Sequence, residues 1–223
     1  MLLLRPPGVY APQEDTWLLE QALREAAPAP GFRVLDLCTG TGVLAMAALR
    51  MGAAEAVALD ASPRAVLAAR CNALLHRLPM TVRRGDLADA VADAEAGEGR
   101  RFDVVLANPP YVPSPNPEPP KRGRAMCWDG GPDGRAVLDR LCGAAPALLK
   151  PGGALLLVHS ELCGVETTLA LLRDEGLEPA VVARSVIPFG PVLRERAAWL
   201  EARGLISPGQ RTEELVVIRA DRP

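Results

Sequence analysis

The sequence has no C-x-x-C pair and no even set of cysteines. Cys38, Cys71, Cys127, Cys142 and Cys163 are five and scattered, which argues against both a disulfide framework and a zinc site and leaves them as buried, reduced thiols. Histidine is scarce as well. His76 and His159 are the two in the chain, and neither has neighbours at metal or nucleophile spacing, so both are assigned to structure. The opening Met1-Leu2-Leu3-Leu4 breaks at Arg5-Pro6-Pro7, too short for a membrane span and without the basic start of a secretory signal. A cytoplasmic protein is expected. A net charge of -2 with a pI near 5.8 lacks the positive footprint of a general nucleic-acid binder. There is no internal repeat and no sign of a second domain, so residues 1–223 are expected to form one domain.

What is present is an alternation. Short aliphatic runs at Arg33–Leu37, Ala56–Leu59, Met80–Arg84, Phe102–Ala107, Ala154–Val158, Ala180–Val186 and Leu215–Arg219 predict seven strands. Helical spacing between them predicts helices over Thr41–Met51, Pro63–His76, Arg135–Leu149 and Gly164–Glu175, with Ser62 as a cap and Pro63 at the first position of the second. This is the pattern of a parallel sheet covered by helices. Two segments lie outside it. An N-terminal helix spans Glu14–Leu23 and stops before Pro28, and a further helical stretch, Val192–Arg203, sits in an insertion over 188–211. From Asn108 to Asp133 a Pro- and Gly-rich loop runs far longer than usual, which marks it as functional or disordered; its stretch from Pro113 to Arg124 is expected to be mobile without substrate.

The first strand ends in Asp36-Leu37-Cys38-Thr39-Gly40-Thr41-Gly42, a glycine turn leading into a helix. Gly40 and Gly42 leave room for a ligand that a Cβ would fill, and the helix start offers free N–H groups. The next strand ends in Asp60, followed by Ala61, where a carboxylate can accept hydrogen bonds from both ribose hydroxyls. The turn also satisfies the G-x-G-x-x-A pattern of dinucleotide enzymes, so a nicotinamide-dependent dehydrogenase stays open. Asp36 favours S-adenosylmethionine, because a carboxylate there would repel a pyrophosphate but suits a positively charged amino-acid end. Asp86, ending the third strand, is placed beside the adenine.

The fourth strand runs into Asn108-Pro109-Pro110-Tyr111. Methyl transfer from a sulfonium is an in-line displacement, and an amide or adenine nitrogen is a poor nucleophile because its lone pair is delocalised. Hydrogen bonds from its two N–H groups to the Asn108 side-chain oxygen and the Pro109 carbonyl would orient it and favour charge building on nitrogen. Pro109 and Pro110 make that carbonyl rigid, and Tyr111 offers a flat face for a planar acceptor.

With these segments in order the chain resembles the HemK-like family of class I methyltransferases, which methylate the glutamine amide of translation release factors. The stretch Tyr10-Ala11-Pro12-Gln13-Glu14-Asp15-Thr16-Trp17 is similar to the family's cofactor-covering N-terminal segment, and Trp128-Asp129-Gly130-Gly131-Pro132-Asp133-Gly134-Arg135 to the glycine-rich entry of its short branch. The resemblance implies a Rossmann-like seven-stranded sheet, six strands parallel and one antiparallel. It implies cofactor contacts from Asp15 and Thr16 within a covering segment over 1–30, a release factor as protein substrate, and a small activating partner protein. Cys38 stands where the family usually has a glycine, and the 188–211 insertion is unlike the family pattern.

Weaker signals remain. Lys121-Arg122-Gly123-Arg124 could attract an acidic substrate but reads more simply as a solvated loop. Trp199 and Leu200 could face a partner or pack on the sheet edge. Adenine in nucleic acid, a lysine side chain and a small metabolite stay open as acceptors, with adenine disfavoured by the missing basic groove. A catalytically silent cofactor-binding subunit also stays open.

Overall fold

The aliphatic runs of the central strands are buried on both faces, as parallel strands between two helical layers require. A computed structural model describes residues 2–223. One seven-stranded sheet is formed by β1 (Arg33–Leu37), β2 (Glu55–Asp60), β3 (Met80–Arg84), β4 (Phe102–Ala107), β5 (Leu149–Ser160), β6 (Glu178–Pro188) and β7 (Thr212–Asp221), in the order β3-β2-β1-β4-β5-β7-β6. β7 runs antiparallel to both its neighbours, while β1 to β5 pair in parallel. Six strands therefore share one direction, as expected.

Alternation along each strand assigns its residues to two cores. On one face Val34, Val104, Leu106, Leu156 and Val158 pack against α1 (Glu14–Ala26), α2 (Val43–Arg50) and α3 (Pro63–Leu75). On the other, Leu35, Leu37, Val105, Ala107, Leu155 and Leu157 meet α4 (Leu87–Glu95), α5 (Leu138–Leu148) and α6 (Val165–Asp174). The Ser62 cap is present, its hydroxyl accepting from the Ala65 N–H at 3.4 Å with Pro63 behind it. The remaining helix, α7 (Pro191–Ala202), lies between β6 and β7 and builds a small core of its own from Phe189, Leu193, Ala197, Leu200 and Ile206. Trp199 is partly buried against that core.

Several predicted bounds are corrected. α4 was not anticipated: it is short and alanine-rich, and what starts it is a reciprocal capping box between Asp86 and Asp89. α2 starts at Val43 rather than Thr41, because Gly42 sits at φ 81° as its left-handed N-cap. α5 starts at Leu138 rather than Arg135, after a turn in which the Arg135 N–H is taken by the Asp133 side chain at 2.9 Å. β5, β6 and β7 are longer than predicted, β6 and β7 because their antiparallel ladder carries their polar ends and β5 because Leu149 also pairs with Phe102 of β4.

The long connection from Asn108 to Asp133 is pinned at its base. Val112 N–H donates to Trp128 O at 2.7 Å, Gly130 N–H to Val112 O at 2.9 Å and Ser114 N–H to Gly131 O at 2.9 Å. A 3-10 turn covers Arg124–Cys127. Helix α7 grips the same base, with Arg196 paired to the buried Asp129 carboxylate at 2.6 Å and donating to Pro113 O at 2.9 Å. Between these anchors residues 115–118 and 121–124 are exposed.

Gly134, at φ 77°, closes this arrangement. A Cβ there would stand 2.2 Å from the Tyr111 carbonyl oxygen and 2.7 Å from Cys163 Sγ, and neither can retreat without moving the 108–111 turn or the core. Gly134→Ala is expected to destabilise the protein by about 3 kcal/mol in urea unfolding; an unchanged midpoint would mean that this base is not rigid.

Candidate active site

Strand order reverses between β1 and β4, which leaves a crevice at their C-terminal ends. Leu37 is in register with Ala107 and with Leu59. Cys38 and Asn108 therefore leave neighbouring strands side by side, with Asp60 next along. A cavity of about 1020 Å³ opens there. Asp15, Thr16, Cys38, Gly40, Asp60, Ala61, Asp86, Asn108, Pro109, Pro110 and Tyr111 all line it. Of the residues predicted for the site, Asp36 and Gly42 do not.

Asp36 lies beneath the turn, fully buried. Its Oδ2 accepts from the Thr39 hydroxyl and from the Ala45 N–H at 3.1 Å, while Oδ1 is buried with no partner. Burial pushes its carboxyl up to about 7, the Thr39 and Ala45 bonds opposing and nearby Asp60 adding. Asp60 is held by two backbone donors, Gly40 N–H at 2.9 Å and Ser62 N–H at 2.8 Å. Each of its oxygens keeps acceptor capacity, and burial raises its value too. The two glycines differ in role. A Cβ on Gly40, at φ 56°, would meet nothing within 4 Å, so its space belongs to the cavity; one on Gly42 would meet Met80 Cε at 2.8 Å and Ala69 Cβ at 3.1 Å, so that space belongs to the protein. The expectation that both leave room for a ligand is corrected at Gly42.

Cys38 is in the left-handed region at φ 57°, which explains why glycine would be favoured there. Its side chain is exposed at the cavity, and of the five thiols expected to be buried, Cys142 and Cys163 are. Enclosure by the cavity walls, with Asp60 and Asp36 adding, pushes the Cys38 thiol up. Asp86 caps α4, its Oδ1 accepting from Ala88 N–H at 2.9 Å and Asp89 N–H at 3.3 Å; it therefore has a structural duty besides bordering the cavity.

The other half of the cavity is organised by Asp15. Its Oδ2 accepts from the Tyr10 hydroxyl at 2.7 Å and the Tyr111 hydroxyl at 3.0 Å, and its Oδ1 from Thr16 N–H at 2.6 Å and Thr16 Oγ1 at 3.0 Å. Thr16 Oγ1 in turn accepts from Asn108 Nδ2 at 3.3 Å. The Asn108 amide is thus held by its N–H side. Among the described residues nothing donates to its Oδ1 or to the Pro109 carbonyl. Tyr111, 9% exposed, has its ring largely in the core and spends its hydroxyl on Asp15; burial and Asp15 raise both tyrosine hydroxyls well above the usual phenol range. Lys121 and Arg124 stand at the cavity wall.

His159 is buried on β5, its Nδ1 against Ser160 O at 2.8 Å, and burial lowers it to about 4. No group of three or more His, Cys, Asp or Glu side chains among the described residues is placed to hold a metal ion. Among the described residues no helix is long and apolar enough to cross a membrane. Sequence reasoning gave Tyr10 a place in the covering segment but no contact of its own, and gave no site role to Arg196 or Glu213. Glu213 alternates with Leu215 and Val217 along β7, a signal that was available had the strand been started two residues earlier.

Comparison with known proteins fits this geometry. The family model for ribosomal protein L11 methyltransferase (PrmA) matches residues 16–109. A putative protein N5-glutamine methyltransferase of Methanocaldococcus jannaschii is 34% identical over 82% of this chain and 88% of its own length. The chain belongs to this family of HemK-like methyltransferases. The release factor glutamine methyltransferase of Mycolicibacterium smegmatis is 33% identical over 75% of the chain, which spans 60% of that longer protein. Among solved structures, a chain of the E. cuniculi Mtq2–Trm112 complex, responsible for methylation of the eRF1 translation termination factor, superposes with a TM-score of 0.64 at 26% identity, covering 97% of this chain and 99% of that one.

The raised carboxyl of Asp36 has a stability consequence. Its folded value, about 7, lies above the ordinary 3.8, so its share of stability is complete at low pH and is lost as pH rises through about 7. In urea unfolding of the free protein, Asp36→Asn is expected to flatten the loss of stability between about pH 4 and 7. Parallel curves for parent and variant would contradict this.

Proposed function

We propose that this methyltransferase transfers a methyl group from S-adenosylmethionine to the side-chain amide of a glutamine in a protein, with a translation release factor as that protein. The observation that carries the reading is the orientation of Asn108: its Nδ2 is spent on Thr16, which leaves Oδ1 and the adjacent Pro109 carbonyl as a pair of free acceptors. A primary amide presents two N–H donors in one plane, which matches such a pair. Held by both, the acceptor amide is oriented with the face of its nitrogen toward the methyl carbon, and charge building on nitrogen is stabilised by oxygens already in place.

S-adenosylmethionine, when bound, supplies a sulfonium methyl group that an uncharged nitrogen can attack. The residues present fit it. Gly40 leaves open space above the turn, and Asp36, beneath it, holds that turn through Thr39 and Ala45 instead of meeting the cofactor itself. Asp60, fixed by two backbone N–H groups, keeps acceptor capacity for ribose hydroxyls. Ala61 and Asp86 border the same wall, where the adenine is assigned. Asp15 and Thr16 border the cavity while their polar groups serve Asn108, so we assign them to holding the catalytic amide as well as covering the cofactor. The Tyr111 ring backs the turn. A small partner protein belongs to the proposal: the E. cuniculi relative is a two-protein complex, and here Leu67 and Leu74 stand 60% and 79% exposed on α3.

Binding and chemistry separate in two variants. Asp60→Ala is expected to weaken S-adenosylmethionine binding by roughly 1.5–3 kcal/mol in calorimetry. Asn108→Ala should keep cofactor affinity and lose about 10²–10³ in single-turnover methyl transfer. Asn108→Asp also loses the N–H that Thr16 holds, so it should be impaired although it keeps an acceptor oxygen. Parent-like turnover in Asn108→Ala would reduce Asn-Pro-Pro-Tyr to a turn and remove the nitrogen-acceptor reading.

A further inference from the structure

Glu213 lies near the start of β7, at the end of the sheet where β5 and β6 finish, with Ile187 of β6 as its register partner. It is 5% exposed and lines the cavity together with Ile187, Pro188 and Leu215. Its Oε2 is buried with no hydrogen-bond partner, and no ion pair reaches it among the described residues. A buried carboxyl oxygen without a donor is costly and rare unless a ligand meets it.

Among the described residues the one hydroxyl that reaches this carboxyl is that of Ser160, and no group is left over to donate to Oε2. From the end of β5 come the Ser160 hydroxyl and the Glu161 carboxyl, from α1 Asp15, from the N-terminal segment Tyr10 and from the catalytic turn Tyr111. Both tyrosine hydroxyls are committed to Asp15, and Ser160 Oγ donates to Glu161 at 3.1 Å. None of these groups is a cation. Burial pushes the Glu213 carboxyl up to about 7, Ser160 opposing and Glu161 and Asp15 adding, so it changes charge near neutrality. This end of the cavity is thus short of donors beside a turn that offers acceptors only, Asn108 Oδ1 and Pro109 O.

We infer that Glu213 is a specificity-determining residue of the acceptor site, its free carboxylate oxygen accepting a hydrogen bond from an N–H of the protein segment that delivers the glutamine amide. The inference rests on the proposed glutamine acceptor and deepens it: Asn108 and Pro109 read the reacting amide, and Glu213 reads a second donor beside it. An acceptor segment that lacks that N–H binds against an unmet buried carboxyl and is rejected. Only the ionised form accepts with full strength, so recognition strengthens as pH rises through about 7.

The test is steady-state methylation of a purified release factor by the full chain with S-adenosylmethionine, in parent, Glu213→Gln and Glu213→Asp, with cofactor affinity measured separately. Glu213→Gln keeps the size and removes a buried charge, so it should fold. Its KM for the release factor is expected to rise about 10- to 100-fold, with kcat and cofactor affinity near parent values. The parent's KM should fall between about pH 6 and 8, the Gln variant's should not, and Glu213→Asp should keep the pH slope at a raised KM. If the parent methylates a glutamine and the Gln variant has the parent's KM and slope, or loses cofactor affinity instead, Glu213 is overturned and the glutamine reading stands. If the parent leaves glutamine unmodified, the proposed function fails and this inference with it.

Discussion

A single buried carboxylate holds the two halves of the cavity together. Asp15 accepts four hydrogen bonds, from Tyr10, from Tyr111 and twice from Thr16, which together account for its acceptor sites. Through Tyr111 it fixes the end of the catalytic turn, and through Thr16 it fixes the Asn108 amide. Removing one member of such a network would leave a buried charge short of donors. The N-terminal segment and the 108–111 turn are therefore one structure. The chain brings them together across 96 positions, so the site is complete only when α1 is docked on the sheet.

The sheet supplies the other constraint. Because β1 lies between β2 and β4 in register, the cofactor turn, Asp60 and Asn108 emerge at one level on adjacent strands, and no side chain has to reach far. The antiparallel β7 is what brings Glu213 to the same edge: a parallel strand would have presented its last residues there. Helix α7, built on its own small core, grips the long connection at its base by pairing Arg196 with Asp129. The insertion 188–211 thus contributes Pro191, Val192 and Leu193 to the cavity lining.

Much of this was legible in the sequence, and for identifiable reasons. β1, β3 and β4 match residue for residue because each is a short run bounded by turn residues such as Gly31, Pro79 and Pro109. The turn 36–42, Asp60 and the 108–111 motif could be found because their chemistry is local. Contacts between distant segments leave no periodic trace, so the joining of Tyr10, Asp15, Thr16 and Tyr111 into one network did not appear, although Asp15 and Thr16 were singled out by resemblance. Glu213 was missed because polar residues at strand ends look like loop. Helix α4 was missed because alanine carries too weak an apolar signal to set a helical stripe. Gly42 was assigned to a ligand because sequence cannot tell a glycine that faces a cavity from one that faces Met80.

The central claim is that the methyl group goes to a glutamine side-chain amide held by Asn108 and Pro109. Its most direct measurement is fragmentation mass spectrometry of a purified release factor after incubation with the chain and isotope-labelled S-adenosylmethionine. The account predicts one labelled methyl group on the side-chain nitrogen of a glutamine, appearing about 10²–10³ times more slowly when Asn108→Ala replaces the parent. Label found on lysine, on nucleic acid carried with the protein, or on no macromolecule at all while the cofactor is still bound would contradict it.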